Sequence, residues 1–131
     1  MQTSHDIHGQ VEEALAKLST LVSQRDLAVL SEFTSDALLA GSEAGEVAQG
    51  ESELATFFQH IFARPVRFSW EWQHIRASCE GDFAWFFAEG QVVMTSAEEE
   101  KRAPYRVSGV LQRQGGQWVW RQFHGSEPTE G

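Results

Sequence analysis

The chain ends in a strand-like run, Trp118-Val119-Trp120-Arg121-Gln122-Phe123-His124, closed by Gly125-Ser126-Glu127-Pro128. Successive side chains of a strand point to opposite faces, so positions 118, 120, 122 and 124 are predicted to share one surface. That surface would carry two indoles, an amide and an imidazole. An aromatic stripe that ends in polar groups is typical of a pocket with an apolar floor and a polar mouth. The run therefore predicts a pocket wall, and it does not name a reaction.

Length and composition limit the classes of protein that remain. The 131 residues fit one domain, 1–131, whose polar tail after about residue 128 is expected to be flexible. Five Trp and nine Phe predict an aromatic core or cavity. The formal net charge of -9 repels phosphate backbones and anionic lipid headgroups, so we expect neither nucleic acid nor a membrane as a partner.

Cysteine content and the N-terminus indicate the compartment. A single cysteine, Cys79, cannot form an internal disulfide, and no apolar run is long enough to cross a bilayer. The N-terminal residues have neither the basic stretch nor the apolar segment of a signal peptide. The cytoplasm is therefore the expected location.

Helical patterns occupy the first half of the chain. Apolar residues spaced by three and four predict an amphipathic helix, and they are Ile7, Val11, Leu15, Leu18 and Val22. Asp26 is predicted to cap a shorter helix with Leu27, Leu30 and Phe33 inside, ending at 34–36. Residues 37–40 and 46–49 are predicted to form an edge hairpin. A further helix is predicted from Gly50 to the stop at Arg64 and Pro65.

Strand patterns follow Pro65, over 66–78, 83–94, 105–113 and the terminal run, with a connector at 95–102. The first places Phe68, Trp70, Trp72 and His74 on one face. The second is apolar on both faces, with Phe83, Trp85 and Phe87 on one and Ala84, Phe86 and Ala88 on the other, so both must be covered. Helices followed by an antiparallel meander define an α+β domain.

This order of elements, closed by Trp-x-x-x-x-Phe-His-x-Ser-x-Pro, resembles the nuclear transport factor 2-like superfamily, also called SnoaL-like or ketosteroid-isomerase-like, from Val11 to Pro128. Through Trp118, His124 and Ser126 the terminal segment is most similar to the association domain of calmodulin-dependent kinase and to bacterial SnoaL-like proteins. The resemblance implies a cone, in which a strongly curved antiparallel sheet wraps the helices and leaves a pocket. It also implies homodimers formed through the outer face of the sheet.

His124 and Arg106 are the candidate catalytic residues. Imidazole exchanges protons near neutral pH, and a guanidinium stabilises a carboxylate, an enolate or a carbonyl oxygen. Arg106 also belongs to an Arg106-Val107-Ser108 run that resembles the Arg-x-Thr of many relatives. The alternatives are a hydrogen-bonded core histidine and a surface arginine. A two-residue Gly115-Gly116 loop would pair Val107 with His124, and a bulged loop would shift that register by one.

Five further residues are candidate ligand contacts. Trp70, Trp72 and Trp85 could form the walls, with His74 continuing their face, although such stripes more often form core or interface. Gln122, where many relatives carry another histidine, is a predicted polar contact. Histidine and cysteine show no metal-ligand spacing, so no metal is predicted. The chain has no Gly-rich phosphate loop, and no cofactor is predicted.

The sequence leaves two candidate functions open. The first is a SnoaL-like protein that binds a small, partly apolar molecule in its pocket, with an isomerase, dehydratase or hydrolase as one form of it. The alternative is a non-catalytic dimerisation or protein-interaction module with a vestigial pocket. Ketosteroid isomerisation itself is disfavoured, because it needs a tyrosine and a protonated aspartate, and here Tyr105 has no aspartate within a predicted strand.

Overall fold

The computed structural model describes residues 4–129 of the chain, with side chains from residue 6 onward. Two α-helices, a 3₁₀ helix and six strands follow one another: α1 (Ser4–Ser23), the 3₁₀ helix (Leu27–Glu32), β1 (Phe33–Ala40), β2 (Val47–Gln49), α2 (Gly50–Phe62), β3 (Arg67–Glu80), β4 (Phe83–Thr95), β5 (Glu100–Gln114) and β6 (Gln117–Ser126). Of the tail predicted to be flexible, residues 130 and 131 lie outside the described residues. The predicted α+β class is confirmed.

The two α-helices present their apolar stripes to the core, as the spacing predicts. All five stripe residues of α1 are at most 4% exposed: Ile7, Val11, Leu15, Leu18 and Val22. In α2 the buried residues are Leu54, Phe58 and Ile61, and acidic side chains occupy its first turn. Burying these stripes against the sheet supplies most of the helical stability, since isolated helices of this length are marginal.

The second predicted helix is shorter than expected and of a different type. Asp26 caps it, and its Oδ1 accepts a hydrogen bond of 2.9 Å from the backbone N–H of Ala28. The helix is 3₁₀, so three residues complete a turn and the inward position falls on Val29, while Leu27 is 47% exposed. The prediction that residues 34–36 end a helix is wrong, because Phe33 already begins β1.

The six strands form one sheet in the order β2-β1-β6-β5-β4-β3. Strands β3 to β6 make the predicted antiparallel meander, and β2 is the short edge strand of the predicted hairpin with β1. The pairing of β1 with β6 is parallel. The connector between β4 and β5 is shorter than predicted, because the ladder continues to Thr95 and Glu100.

Two β-bulges interrupt the alternation of the sheet. In β3 the register changes between Trp72 and His74, and Gln73 is the extra residue. In β6 Leu111 faces Trp120 whereas Val110 faces Gln122, which makes Arg121 the extra residue. A bulge bends its strand and moves every later side chain to the opposite face.

Gly90 lies on β4 opposite the last residue before the first bulge, facing Trp72. A Cβ built on Gly90 would lie 2.0 Å from the backbone oxygen of Glu71, a distance that no side chain tolerates. Glycine is therefore required where the bulged strand comes closest to β4.

The sheet has an inner face packed against the helices and an outer face with exposed aromatic rings. On β4, Ala84, Phe86 and Ala88 point inward and are at most 5% exposed. Phe83, Trp85 and Phe87 point outward and are 43%, 46% and 36% exposed. The described part of the chain contains no helix with the length and apolar character needed to cross a membrane.

Candidate functional site

A cavity of about 130 Å³ lies between the two α-helices and the inner face of the sheet. Its walls are mostly aliphatic and aromatic side chains: Leu18, Val22, Phe33, Leu39, Phe57, Phe58, Ile61, Phe68, Trp70, Val92, Met94 and Phe123. Each helix contributes the last part of its apolar stripe. Such walls can exclude water from an apolar ligand.

The mouth of the cavity is polar, and it is lined by Ser42, Glu43, Glu46, Arg64, Tyr105 and Glu127. Three of these come from the loop between β1 and β2. The backbone N–H of Gly41 donates to the oxygen of Glu46 at 2.7 Å, and the Glu46 carboxylate accepts from the N–H of Glu43 at 2.9 Å. The loop is thus held in a defined shape beside the opening.

Tyr105 supplies a hydroxyl group at this mouth from the inner face of β5, where it is 7% exposed. Burial, the largest cause, raises its pKa from 10.0 to about 12. A hydrogen bond with Ser42 lowers the pKa, while the charges of Glu46, Glu127 and Glu43 raise it further. The phenol therefore stays protonated at neutral pH and is a hydrogen-bond donor.

The space for the Tyr105 hydroxyl is left by Gly125 of β6. A Cβ on Gly125 would lie 2.0 Å from the tyrosine oxygen. The glycine in the terminal His124-Gly125-Ser126 segment thus sets the position of a polar group that belongs to another strand.

Trp70 and Arg64 complete the polar groups around the cavity. The Trp70 ring packs near Tyr105 and Phe123, with centroid distances of 6.3 and 6.1 Å, and its Nε1 is buried without a hydrogen-bond partner in the described range. The Arg64 guanidinium lies over the Phe68 ring, 5.2 Å from its centroid. Across residues 4–129, no group of three His, Cys, Asp or Glu side chains is arranged to hold a metal ion.

Of the predicted ligand contacts on β3 and β4, only Trp70 lines the cavity. Trp72 is on the inner face beside it, partly buried against the core, with a buried and unpartnered Nε1 among the described residues. His74 is exposed, because the bulge at Gln73 moves it to the outer face. Trp85 is on the outer face as well and does not line the cavity.

The terminal stripe is divided between the two faces. Trp118 and Trp120 point inward, but the extra residue Arg121 moves Gln122 and His124 outward, where both are exposed. The prediction that positions 118, 120, 122 and 124 share a face is wrong for this reason. The residues that point inward after the bulge are Phe123 and Gly125.

The open question of the hairpin register is also answered. The loop has two residues, and the bulge in β6 then pairs Ser108 with His124 and Arg106 with Ser126. Arg106 and His124 therefore share a face, and it is the outer one. Neither lines the cavity, and the Nε of Arg106 is buried without a partner among residues 4–129.

The sequence prediction missed the polar mouth. Tyr105 is the only tyrosine of the chain and alternates with the apolar Val107, which was the available signal for an inward hydroxyl. Ser42, Glu46 and Glu127 lie in a turn and a tail, where periodicity carries no information about direction.

The chain matches a known protein family. A family model described as a SnoaL-like domain matches residues 11–130. No curated protein matches the sequence significantly.

Many solved structures share the fold. An NTF2-like protein of unknown function from Pseudomonas putida KT2440 has a TM-score of 0.79 at 17% identity, covering 98% of this chain and 92% of that one. A Catenulispora acidiphila protein in complex with S-DNPA has a TM-score of 0.81 at 14% identity, covering 92% of both chains. A ketosteroid isomerase-like protein from Erwinia carotovora atroseptica has a TM-score of 0.73 at 21% identity, covering 93% and 96%.

Proposed function

The chain belongs to the SnoaL-like domain family, and we propose that it binds a small, largely apolar molecule in the cavity beneath Tyr105. The observation that carries this proposal is the buried, protonated hydroxyl of Tyr105 at the polar mouth of a cavity whose walls are aromatic and aliphatic. Apolar burial contributes roughly 25 cal/mol per Å² of ligand surface. The Tyr105 hydroxyl, which can both donate and accept a hydrogen bond, would select a ligand that carries a polar group at the mouth.

The structural relatives support binding more than they support a particular reaction. One was solved in complex with S-DNPA and another is described as ketosteroid isomerase-like. If this chain is an isomerase, dehydratase or hydrolase, Tyr105 is the group best placed to donate to a substrate oxygen. The carboxylates that raise the pKa of Tyr105 would oppose a negative charge developing there, which argues against an enolate intermediate.

The catalytic roles predicted for His124 and Arg106 stay predictions. Their side chains are on the outer face, so any such role would concern a molecule bound outside the cavity. The same holds for the ligand contacts predicted for His74, Trp85 and Gln122. Trp70 is the predicted contact that we keep for the cavity, with Trp72 behind it.

Indole N–H resonances offer a direct test of binding. With 2-phenylethanol as the probe and ¹⁵N-labelled protein, we expect the Trp70 signal to shift and the Trp85 signal to stay in place. The signals are assigned with Trp70→Phe and Trp85→Phe. Val92→Phe should weaken binding at least about tenfold, because a ring would enter the space that the ligand needs.

Val110→Phe is the matched control, since it makes the same change on the outer face. It should leave the Trp70 shift intact. A Trp70 signal that is unmoved by saturating probe, or a Val92→Phe variant that binds like the parent protein, would contradict the proposal.

A second function is favoured by the outer face, and we propose it as a homodimer surface. Phe83, Trp85 and Phe87 form an aromatic row, and Val110 and Gln122 continue across the neighbouring strands. Exposed rings in a contiguous row are typical of protein interfaces. In the alternative function, the chain is a dimerisation module. The outer face then binds the partner chain, and the cavity is vestigial. The likeness of the terminal segment to the kinase association domain stays a prediction.

A further inference from the structure

The cavity mouth carries an excess of negative charge, and from it we infer that the ligand has a cationic amine attached to its apolar body. This inference rests on the proposed binding function. It adds the sign of the ligand's charge, which neither the fold nor the apolar walls determine.

Four charged side chains line the mouth. Glu43, Glu46 and Glu127 are negative and Arg64 is positive, so the mouth has a formal excess of two negative charges. None of the three carboxylates makes an ion pair with a described residue. Like charges around one opening that lack a cationic partner repel one another, and a cation between them would relieve that repulsion.

The three carboxylates line the same cavity as Tyr105. Each of them raises the pKa of Tyr105, so each is near enough to influence a charge placed beside its hydroxyl. An ammonium group at that position would be attracted by all three. It could also receive support from the surrounding rings, because the faces of Trp70 and Phe57 are electron-rich.

The cavity is separate evidence for a bound ligand, because it does not depend on the charges at the mouth. Its walls are mostly apolar, and they enclose about 130 Å³ between the two α-helices and the sheet. The carboxylates thus stand at the entrance of a space that is already suited to an apolar molecule.

An anionic ligand is the main competing class, and Arg64 is the only positively charged side chain among the described residues that line the mouth. The Arg64 guanidinium is stacked over Phe68 rather than directed into an ion pair. A carboxylate ligand would therefore meet one cation and three anions. The excess of negative charge at the mouth therefore favours an amine over a carboxylate.

Three probes of matched shape separate the classes: 2-phenylethylamine, 2-phenylethanol and phenylacetate. Calorimetric titration at neutral pH and low salt should give the amine about tenfold higher affinity than the alcohol. Phenylacetate should bind most weakly. Added salt should narrow the difference, since the mouth is partly exposed to solvent.

Glu43→Gln and Glu127→Gln remove charge from exposed positions that have little effect on packing. Each should lower amine affinity by roughly twofold to fivefold, the range for exposed charge pairs, and leave alcohol affinity unchanged. Glu12→Gln, on the exposed side of α1, makes the same change away from the mouth. It should alter neither the amine affinity nor the alcohol affinity.

The outcomes distinguish this inference from the binding proposal. If the alcohol binds and the amine does not bind more tightly, or if the mouth variants behave like Glu12→Gln, the inference fails and the binding proposal stands. If phenylacetate binds best, the charge assignment is reversed and the inference fails. If no probe binds, both fail.

Discussion

The position and the hydrogen-bonding role of the Tyr105 hydroxyl depend on neighbouring residues. Its strand position buries it, Gly125 leaves room for its oxygen, and the loop between β1 and β2 brings Ser42 and Glu46 beside it. A phenol is an ordinary donor in water, but here it is a buried donor at the entrance of an apolar cavity. Changing any of these three neighbours should change the ligand affinity without changing the walls.

The ionisation of Tyr105 provides a prediction with a definite sign. Because its pKa is raised to about 12 in the folded protein, the neutral phenol is favoured by folding. The stability from this group is present below about pH 10 and is lost as the pH rises to about 12, on the order of 2 kcal/mol. Tyrosinate absorbance follows this group alone, since it is the only tyrosine.

Tyr105→Phe is the matched variant. It should lose less stability than the parent protein between pH 10 and pH 12 in urea unfolding series. An absorbance midpoint near pH 10 in the folded protein would show that the hydroxyl is not buried as described.

At the scale of the element, the two bulges decide which side chains reach the cavity. If Gln73 were paired like the rest of β3, His74 would share the inner face with Trp72. If Arg121 were paired in the same way, Gln122 and His124 would share the inner face with Trp120. Each bulge instead replaces polar inward residues with apolar or small ones, Ile75 and Ala77 in β3 and Phe123 and Gly125 in β6. The bends also help the sheet to curve around the helices.

The close approach at the first bulge is testable with a single methyl group. Gly90→Ala should destabilise the protein by roughly 1–3 kcal/mol, because the new Cβ would meet the backbone of Glu71 and neither strand can move away easily. Urea unfolding monitored by circular dichroism measures this. Gly9→Ala in α1 is the control, since its Cβ meets nothing and alanine should stabilise the helix by up to about 1 kcal/mol. Equal effects of the two variants would refute the steric explanation.

At the scale of the whole molecule, the sheet separates two proposed functions. The inner face and the helices enclose the cavity, while the outer face carries the row of Phe83, Trp85 and Phe87. A ligand and a partner chain could bind at the same time, because they would contact opposite sides of β4. Substitutions on one face should therefore leave the function of the other intact.

The dimer proposal predicts that Trp85→Ser lowers self-association. Truncating a central aromatic at an interface typically costs about 2 kcal/mol or more, so the dimer dissociation constant should rise at least about thirtyfold. Sedimentation velocity over a micromolar concentration series measures it. Leu27→Ser, an equally exposed apolar residue on the 3₁₀ helix, should leave the dimer unchanged. A parent protein that is monomeric throughout the series would exclude the dimer.

The sequence by itself determined the fold class, the two α-helices and the aromatic character of the interior. These follow from local periodicity, because burial of a stripe on α1 or α2 needs only the right spacing of Val11 or Phe58. It also identified Trp70 as a wall residue and the two-sided character of β4. Only the tertiary structure decided which polar groups meet the cavity. A strand pattern has a period of two and gives no sign of an inserted residue, so the bulge at Arg121 reversed the predicted direction of His124. The mouth is assembled by contacts between distant segments, with Tyr105, Ser42 and Glu127 brought together by strand pairing and loop closure rather than by any spacing in the chain.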